Sequence, residues 1–274
     1  MVKEDKYWRQ RAKTHWYRDG DLNTKFFHAS AKSRKKVNHI TFLENDVGVQ
    51  ISNEQGMRQV AKSYFETLFM ESNSTHAPVV NIIEKIVSDD DNALLTAPFQ
   101  AYEFKDAMFS MHLDKCPGLD GFNPSFFQQF WSVCNSDIFQ ECCAWLNNNQ
   151  FLSSLNSTNI ALITKGNEQK SMKDWRPIAL CNVLYKLVAK VLANLFKKIM
   201  HKCISENQSA FVPEHSIVDN AMIAIEVVHH MKVSKRVRDK NVALMLDISK
   251  AYDRIDWLYL KEVMLQMGFA TQWI

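Results

Sequence analysis

The sequence predicts an α+β fold in which helices predominate. Several stretches repeat apolar residues at three- and four-residue spacing, and the clearest of these amphipathic helices covers 184–199. Extended segments are fewer, and two of them, 159–165 and 174–180, are joined by a polar loop. A third apolar run, 242–246, alternates as a strand does and is followed at once by Asp247.

The composition is that of an ordinary globular protein of 274 residues, with 46% hydrophobic and 23% charged residues. That length suffices for one large domain or two small ones. No apolar run approaches the roughly 18 residues of a transmembrane helix, and the first residues are not those of a signal peptide. We therefore expect an intracellular protein, nuclear or cytoplasmic, that is neither secreted nor bound to a membrane.

The six cysteines indicate a reducing compartment, because none forms a C-x-x-C pair and two of them are adjacent. His201 with Cys203, or His229 with His230, could contribute to a zinc site. However, no second ligand pair lies at zinc-finger spacing. We expect reduced, buried cysteines rather than a structural metal site.

Positive charge is concentrated at the start of the chain, although the formal net charge is only +3. Residues 1–40 contain eleven Lys and Arg against four Asp and Glu, and the remainder contains 22 against 26. This asymmetry indicates an anionic partner, with nucleic acid as the first candidate. We assign the aromatic residues of this segment to the inward face of an amphipathic helix. Its basic cluster is assigned to nucleic acid and comprises Lys32, Arg34, Lys35 and Lys36.

The elements follow in order along the chain. The acidic run Asp89-Asp90-Asp91 is interpreted as a solvated helix N-terminus rather than as a metal site. Asp256 is the expected N-cap of the last helix, and Gly268 is its expected stop. The other predicted elements are a hairpin over 40–51, a loop over 115–121, and helices over 54–69, 102–111, 124–131, 184–199, 218–231 and 257–267.

Two predicted strands each carry one cation close to the loop that joins them, namely Lys165 and Arg176. A hairpin of this kind would present both to a polyanion such as a triphosphate, arginine as a bidentate fork and lysine as a point charge. Two solvated surface cations are the alternative. The loop 115–121, with Gly118 and Gly121, either offers backbone N–H groups to a phosphate or forms a stiff turn before a helix.

Asp247 also has two interpretations. A carboxylate held at the end of a strand suits Mg²⁺, which takes hard oxygen ligands in near-octahedral geometry. The same carboxylate could simply cap the turn that follows the strand.

Five stretches, taken together and in order, resemble the reverse transcriptases of LINE-type non-LTR retrotransposons, especially those abundant in plants. Each motif alone has little specificity for the family, but five motifs in the family's order are not expected by chance. They are WYRDGDLNTKFFH over 16–28, KCPGLDG over 115–121 with FFQQFW over 126–131, IALITK over 160–165, WRPIALCNVLYK over 175–186, and LDISKAYDRIDW over 246–257.

The resemblance implies the fingers and the opening of the palm of a right-hand polymerase, with the thumb absent. Asp247 then matches the first catalytic aspartate, which holds Mg²⁺ beside the backbone carbonyl of Ile248. Tyr252 matches the aromatic residue that closes on the sugar, and Lys165 and Arg176 match the cations that hold the incoming triphosphate. The implied chemistry is phosphoryl transfer on an RNA template and a DNA primer.

The same resemblance divides the chain into three regions. Residues 1–75 would be a basic helical linker after a missing endonuclease domain. Residues 76–156 would be a helical region leading into the fingers, and 157–274 the fingers and the start of an incomplete palm.

One departure from the family concerns catalysis. The family's second acidic motif, aromatic-x-Asp-Asp, does not follow Asp247, and the run Asp89–Asp91 lies upstream of it. We therefore expect a fragment of an RNA-directed DNA polymerase that does not polymerise alone, with an exposed palm edge that favours self-association. Two alternatives remain: a non-catalytic RNA- or DNA-binding module, and a decayed element product with no selected function.

Overall fold

The computed structural model describes residues 24–70, 75–166, 169–209, 212, 215–233, 242, 244, 246, 248 and 250–274. Within these residues the regular structure is mainly helical, with two small antiparallel sheets of two strands each. The predicted class, α+β with helices predominant, is confirmed. The chain divides into two compact units, one that includes 24–67 and 100–190 and another that includes 68–99 and 191–274.

The helices are, in chain order, α1 (Thr24–Val37), α2 (Glu54–Leu68), α3 (Ala77–Val80), α4 (Asp89–Leu95), α5 (Ala101–Phe109), α6 (Pro124–Gln129), α7 (Trp131–Asn148), α8 (Ser153–Asn156), α9 (Val183–Phe196), α10 (Met200–Cys203), α11 (Ile217–Val233) and α12 (Trp257–Met267). The strands are β1 (Leu43–Glu44), β2 (Gln50–Ile51), β3 (Asn159–Thr164) and β4 (Trp175–Leu180). Single turns of 3₁₀ helix cover Met172–Asp174 and Tyr252–Arg254.

The first unit has a hydrophobic cluster that joins the two hairpins. Leu43 of β1, Trp175 of β4 and Met172 of the 3₁₀ turn before β4 are each at most 3% exposed. Apolar residues of α2 pack against them, and this explains the apolar face predicted for that helix. The residues that surround the three are Ile40, Met57, Val60, Ala61, Tyr64, Phe65 and Leu162.

A second part of this unit consists of α5, α6 and α7, which pack on one another. Asn123 caps α6 by accepting a hydrogen bond from the N–H of Phe126, and Pro124 occupies the first turn. The single helix predicted over 124–131 is wrong, because the backbone leaves helical geometry at Phe130, with φ −100° and ψ 18°, before α7 begins. The side-chain amide of Gln128 donates to two carbonyls at the end of α5 and beyond it.

In the second unit, the acidic run forms the N-terminus of α4, as predicted, but Asp91 is 8% exposed and therefore buried rather than solvated. Ser88 is the N-cap, and the Asp91 carboxylate accepts hydrogen bonds from its N–H at 3.0 Å and its hydroxyl at 2.7 Å. Lys202 Nζ lies 2.8 Å from Asp91 Oδ1. The pKa of Asp91 is lowered from 3.8 to about 2. The hydrogen bond from Lys202 is the largest cause, and the hydrogen bond from the Ser88 N–H is the next.

The neighbouring Asn92 joins α4 to the end of the chain. Its amide nitrogen donates to the Gly268 carbonyl, and its amide oxygen accepts from the Ala270 N–H, both at 2.8 Å. Helix α12 begins and ends as predicted, with Asp256 as its N-cap and Gly268 at φ +94° as its stop.

The strand predicted over 242–246 is not found at the described positions of that segment. Val242, Leu244 and Leu246 lie outside regular structure and are 78–87% exposed. A strand needs a partner for its backbone hydrogen bonds, and no strand among the described residues provides one. Helix α11, predicted over 218–231, is also exposed along its described length except at the half-buried Met231.

The cysteines are all unpaired, and the expectation that they are buried holds only for Cys142. Burial raises the pKa of the Cys142 thiol to about 12. Among the described residues, no three His, Cys, Asp or Glu side chains come together in a way that could hold a metal ion. Within the same residues, no helix has the length and apolar character needed to cross a bilayer.

The Asp91 carboxylate makes acid stability testable. Because its pKa is lower in the folded protein, its contribution is present above about pH 4 and is lost as the pH falls towards 2. We expect the free energy of unfolding, measured by urea denaturation, to fall less between about pH 5 and pH 2 in Asp91→Asn than in the parent. Asp89→Asn, at a side chain that is 99% exposed, should follow the parent. Parallel curves for the parent and Asp91→Asn would contradict this account.

Candidate nucleotide and nucleic-acid interface

The hairpin of β3 and β4 has a complete antiparallel register. It runs from the pair Asn159 and Leu180 to the pair Thr164 and Trp175. One further hydrogen bond, from the N–H of Lys165 to the carbonyl of Asp174 at 2.9 Å, extends the pairing beyond the strands. The hairpin predicted from two extended segments is therefore confirmed.

This register brings the two predicted cations to one face. Ile163 lies opposite Arg176, and Lys165 lies two residues after Ile163. Because side chains alternate along a strand, Lys165 and Arg176 point to the same side. Diagonal neighbours of this kind are roughly 7–8 Å apart, and both side chains are exposed. The arrangement can offer two positive charges to one polyanion.

The turn between the strands is held by Asp174. Its carboxylate accepts hydrogen bonds from the N–H groups of Ser171 at 2.9 Å and Lys170 at 3.1 Å, and from the Ser171 hydroxyl at 3.2 Å. The Ser171 N–H, followed by the Lys170 N–H, lowers the pKa of Asp174, and the charge of Lys165 adds to this effect. Lys165 Nζ itself donates to the Lys173 carbonyl at 2.7 Å. The lysine is thus held at the base of an ordered turn.

The loop 115–121 lies against the start of α9. A Cβ built on Gly118 would come within 2.0 Å of Asn182 Oδ1 and 2.5 Å of the Asn182 backbone nitrogen. Only glycine permits this close approach. Gly121 has φ +75°, which glycine adopts without strain. Its N–H donates to the Gly118 carbonyl at 3.3 Å, so that donor is already used within the loop.

Two further residues hold this loop. Asn182 is 5% exposed, and its amide lies 3.5 Å from both the Asp120 N–H and the Ser154 carbonyl, at the long limit for hydrogen bonds. Lys186 Nζ donates to the Cys116 carbonyl at 2.8 Å, and burial is the main reason why the pKa of Lys186 is lowered. Sequence reasoning missed both contacts. The available signal was an asparagine at the start of a predicted helix, followed by a lysine one turn later.

The predicted basic cluster forms the last turns of α1, where cations also complement the helix dipole. All four of its residues are exposed. Lys32 and Lys36 lie about two and three turns after Lys25, on the side opposite the buried Phe27. Arg34 lies two turns after Phe27 and therefore on the side of Phe27, away from the face that Lys25, Lys32 and Lys36 share. No acidic residue occurs in α1.

Of the predicted palm residues, Ile248 and Tyr252 lie in the second unit. Ile248 is 71% exposed, and Tyr252, which begins a 3₁₀ turn, is 91% exposed. Asp247, the predicted metal ligand, lies outside the described residues. The roles assigned to these three residues remain predictions.

Residues 163–274 match a family model described as reverse transcriptase (RNA-dependent DNA polymerase). This segment contains Lys165, Arg176, Asp247, Ile248 and Tyr252. Reverse transcriptases as a family generally use divalent metal ions and bind a template and a primer.

The chain is also similar to an uncharacterized 149 kDa protein of the transposon TX1 from Xenopus laevis. The two are 27% identical over 258 residues, which cover 93% of this chain and 20% of that protein. The chain therefore spans about a fifth of the length of this relative. Both findings agree with the family that the five ordered motifs resemble.

The close approach of Gly118 to Asn182 predicts a loss of stability on substitution. Gly118→Ala should lower the free energy of unfolding by about 1–3 kcal/mol, because the added methyl group overlaps Asn182. Gly166→Ala is the control, since no heavy atom of the described residues beyond its chain neighbours lies within 4 Å of its Cβ position. Urea denaturation measures both. Equal stability of the two variants would contradict the packing role of Gly118.

Proposed function

We propose that this chain provides part of the fingers and palm of an RNA-directed DNA polymerase from a non-LTR retrotransposon. The observation that best supports this function is the common face of Lys165 and Arg176, in a segment that matches the reverse transcriptase domain. The substrates would be deoxynucleoside triphosphates, an RNA template and a DNA primer. We also propose an intracellular location, nuclear or cytoplasmic, because deoxynucleoside triphosphates, RNA and DNA occur there.

In this proposal, the hairpin binds the incoming triphosphate. The planar guanidinium of Arg176 donates two parallel hydrogen bonds to phosphate oxygens, and Lys165 acts as a point charge. Phosphoryl transfer depends on the position of the reacting groups and on stabilisation of phosphate charge, which fixed cations supply. Asp174 holds the turn in place, so that little reorganisation is needed when the nucleotide binds.

The palm residues, in the second unit, are proposed to act on metal and sugar. Asp247 and the carbonyl of Ile248 are hard oxygen donors, which suit Mg²⁺. When bound, Mg²⁺ would stabilise charge on the attacking and leaving oxygens. The ring of Tyr252 would pack against the sugar of the nucleotide, and its 91% exposure is consistent with a surface that a ligand covers.

The remaining regions would contact nucleic acid. We propose that 1–75 is a basic linker, that 76–156 leads into the fingers, and that 157–274 forms the fingers and the first part of the palm. The loop of Gly118 and Gly121 would lie beside the template backbone. The Gly121 N–H is already bonded within the loop and so does not bind a phosphate. The two glycines would instead shape the loop, Gly121 by its positive φ and Gly118 by its close contact with Asn182.

Binding of a triphosphate tests this proposal directly. Arg176→Lys should weaken binding of a fluorescent deoxynucleoside triphosphate by roughly tenfold, because the bidentate contact is lost, and Lys165→Gln should also weaken it. Neither variant should affect binding of the corresponding monophosphate. Lys170→Gln, which removes a cation from the same hairpin, should change triphosphate affinity by less than about twofold. Equal losses in all three variants would refute a specific site.

A non-catalytic nucleic-acid-binding module is the second candidate, and the face of α1 favours it. Lys25, Lys32 and Lys36 form an exposed stripe opposite Phe27, in a helix that contains no acidic residue. Such a stripe can follow a phosphate backbone irrespective of base sequence. Binding of this kind requires no active site.

The stripe predicts a loss of salt-dependent RNA binding. Neutralising Lys25, Lys32 and Lys36 to Gln should weaken binding to single-stranded RNA and reduce the slope of log K against log salt by roughly 2, about 0.7 per lost phosphate contact. The control neutralises three exposed lysines elsewhere, Lys62, Lys197 and Lys198. If both triple variants lose affinity equally, net charge rather than this face determines binding.

A further inference from the structure

We propose that a groove between α5 and α7 binds an unpaired base of single-stranded nucleic acid. The groove lies in the first unit and shares no residue with the sites described above. The proposal rests on the proposed function to the extent that nucleic acid is the partner. It adds a base-stacking site to a chain whose other proposed contacts involve phosphate, sugar and metal.

The groove has a volume of about 540 Å³ and is lined by facing residues of the two helices. Tyr102 and Lys105 lie one turn apart on α5, and Trp131, Asn135 and Phe139 follow one another at four-residue spacing on α7. Known small-ligand pockets range from roughly 300 to 1,000 Å³. The volume therefore suits one nucleotide.

Two of the aromatic rings are held in place by rings of α5. Trp131 makes an edge contact with Phe109, with ring centres 6.0 Å apart and planes at 86°. Phe139 makes a similar contact with Phe104 at 5.6 Å and 78°, and Phe104 is fully buried. Edge-to-face contacts fix the orientation of a ring before a ligand arrives. The rings thus lose little conformational freedom on binding.

Tyr102 has a different environment. Its side chain is 61% exposed, whereas Phe104, Ala107 and Met108 on the other side of the same helix are fully buried. The core of the unit therefore does not need this ring. An exposed aromatic side chain beside a groove is the kind of surface on which bases of a single strand stack.

The polar residues of the groove distinguish a nucleotide from an apolar partner. Lys105 is the one charged residue among those that line it, and an apolar helix seated there would bury its ammonium group without a counter-charge, which is costly. A nucleotide brings a phosphate for that lysine. Asn135 donates its amide nitrogen to the Trp131 carbonyl at 2.7 Å, which leaves its oxygen as an acceptor for an N–H group of a base, such as the ring N3–H of thymine.

The experiment measures fluorescence anisotropy of a labelled oligothymidylate with the whole chain. Tyr102→Ala should weaken binding by roughly tenfold, since one stacked base is lost, while Tyr102→Phe should bind as the parent does. An abasic oligomer of the same length should bind equally to the parent and to Tyr102→Ala. Lys105→Gln should lower the slope of log K against log salt by about 0.7, and Lys105→Arg should not.

Three outcomes would overturn the proposal. If the parent binds the oligomer and Tyr102→Ala binds it equally well, the groove is not a base site, although the proposed function stands. If the parent binds no nucleic acid even at low salt, the groove and the proposed function fail together. If Tyr102→Ala alters the sedimentation of the chain and leaves oligomer binding unchanged, the groove is a protein contact. Thermal melts of each variant verify that the fold is retained.

Discussion

The antiparallel pairing of β3 with β4 is the interaction on which the rest of the candidate site depends. Its register places Lys165 and Arg176 on one face, and a slip of one residue would send one of them to the other face. Trp175 fixes the register, because it is 2% exposed in a cluster with Leu43 and Met172 and cannot be moved out of that cluster without loss of burial. A buried tryptophan therefore determines where an exposed arginine lies.

The same hairpin leads directly into the contact that orders the loop 115–121. Strand β4 ends at Leu180, and two residues later Asn182 lies against Gly118 while Lys186 binds the Cys116 carbonyl. The loop and the hairpin are consequently fixed relative to one another within the first unit. If the loop lies beside a template backbone, as we propose, its position relative to the triphosphate cations is set by these short contacts.

Much of the fold and of the candidate site could be predicted from the sequence. Physical reasons explain which elements could be predicted and which could not. The hairpin, the capped acidic run at Asp89–Asp91 and helix α12 depend on neighbouring residues, so local patterns reveal them. The Asn182 contact joins residues 62 positions apart, and no periodicity encodes it. The break between α6 and α7 at Phe130 could not be predicted, because the aromatic residues of α6 continue through Phe130 into Trp131 without a change of pattern. The apolar run 242–246 has the alternation of a strand, but alternation alone does not supply the partner that a strand requires.

We propose that residues 163–274 serve RNA-directed DNA synthesis with Asp247 as a metal ligand. The test is primer extension on an RNA template with Mg²⁺ and deoxynucleoside triphosphates, by a protein that contains this chain. We expect Asp247→Ala to abolish extension, whereas Asp89→Ala, at an exposed carboxylate of the upstream acidic run, should leave it unchanged. Extension by Asp247→Ala at the rate of the parent protein would contradict the claim.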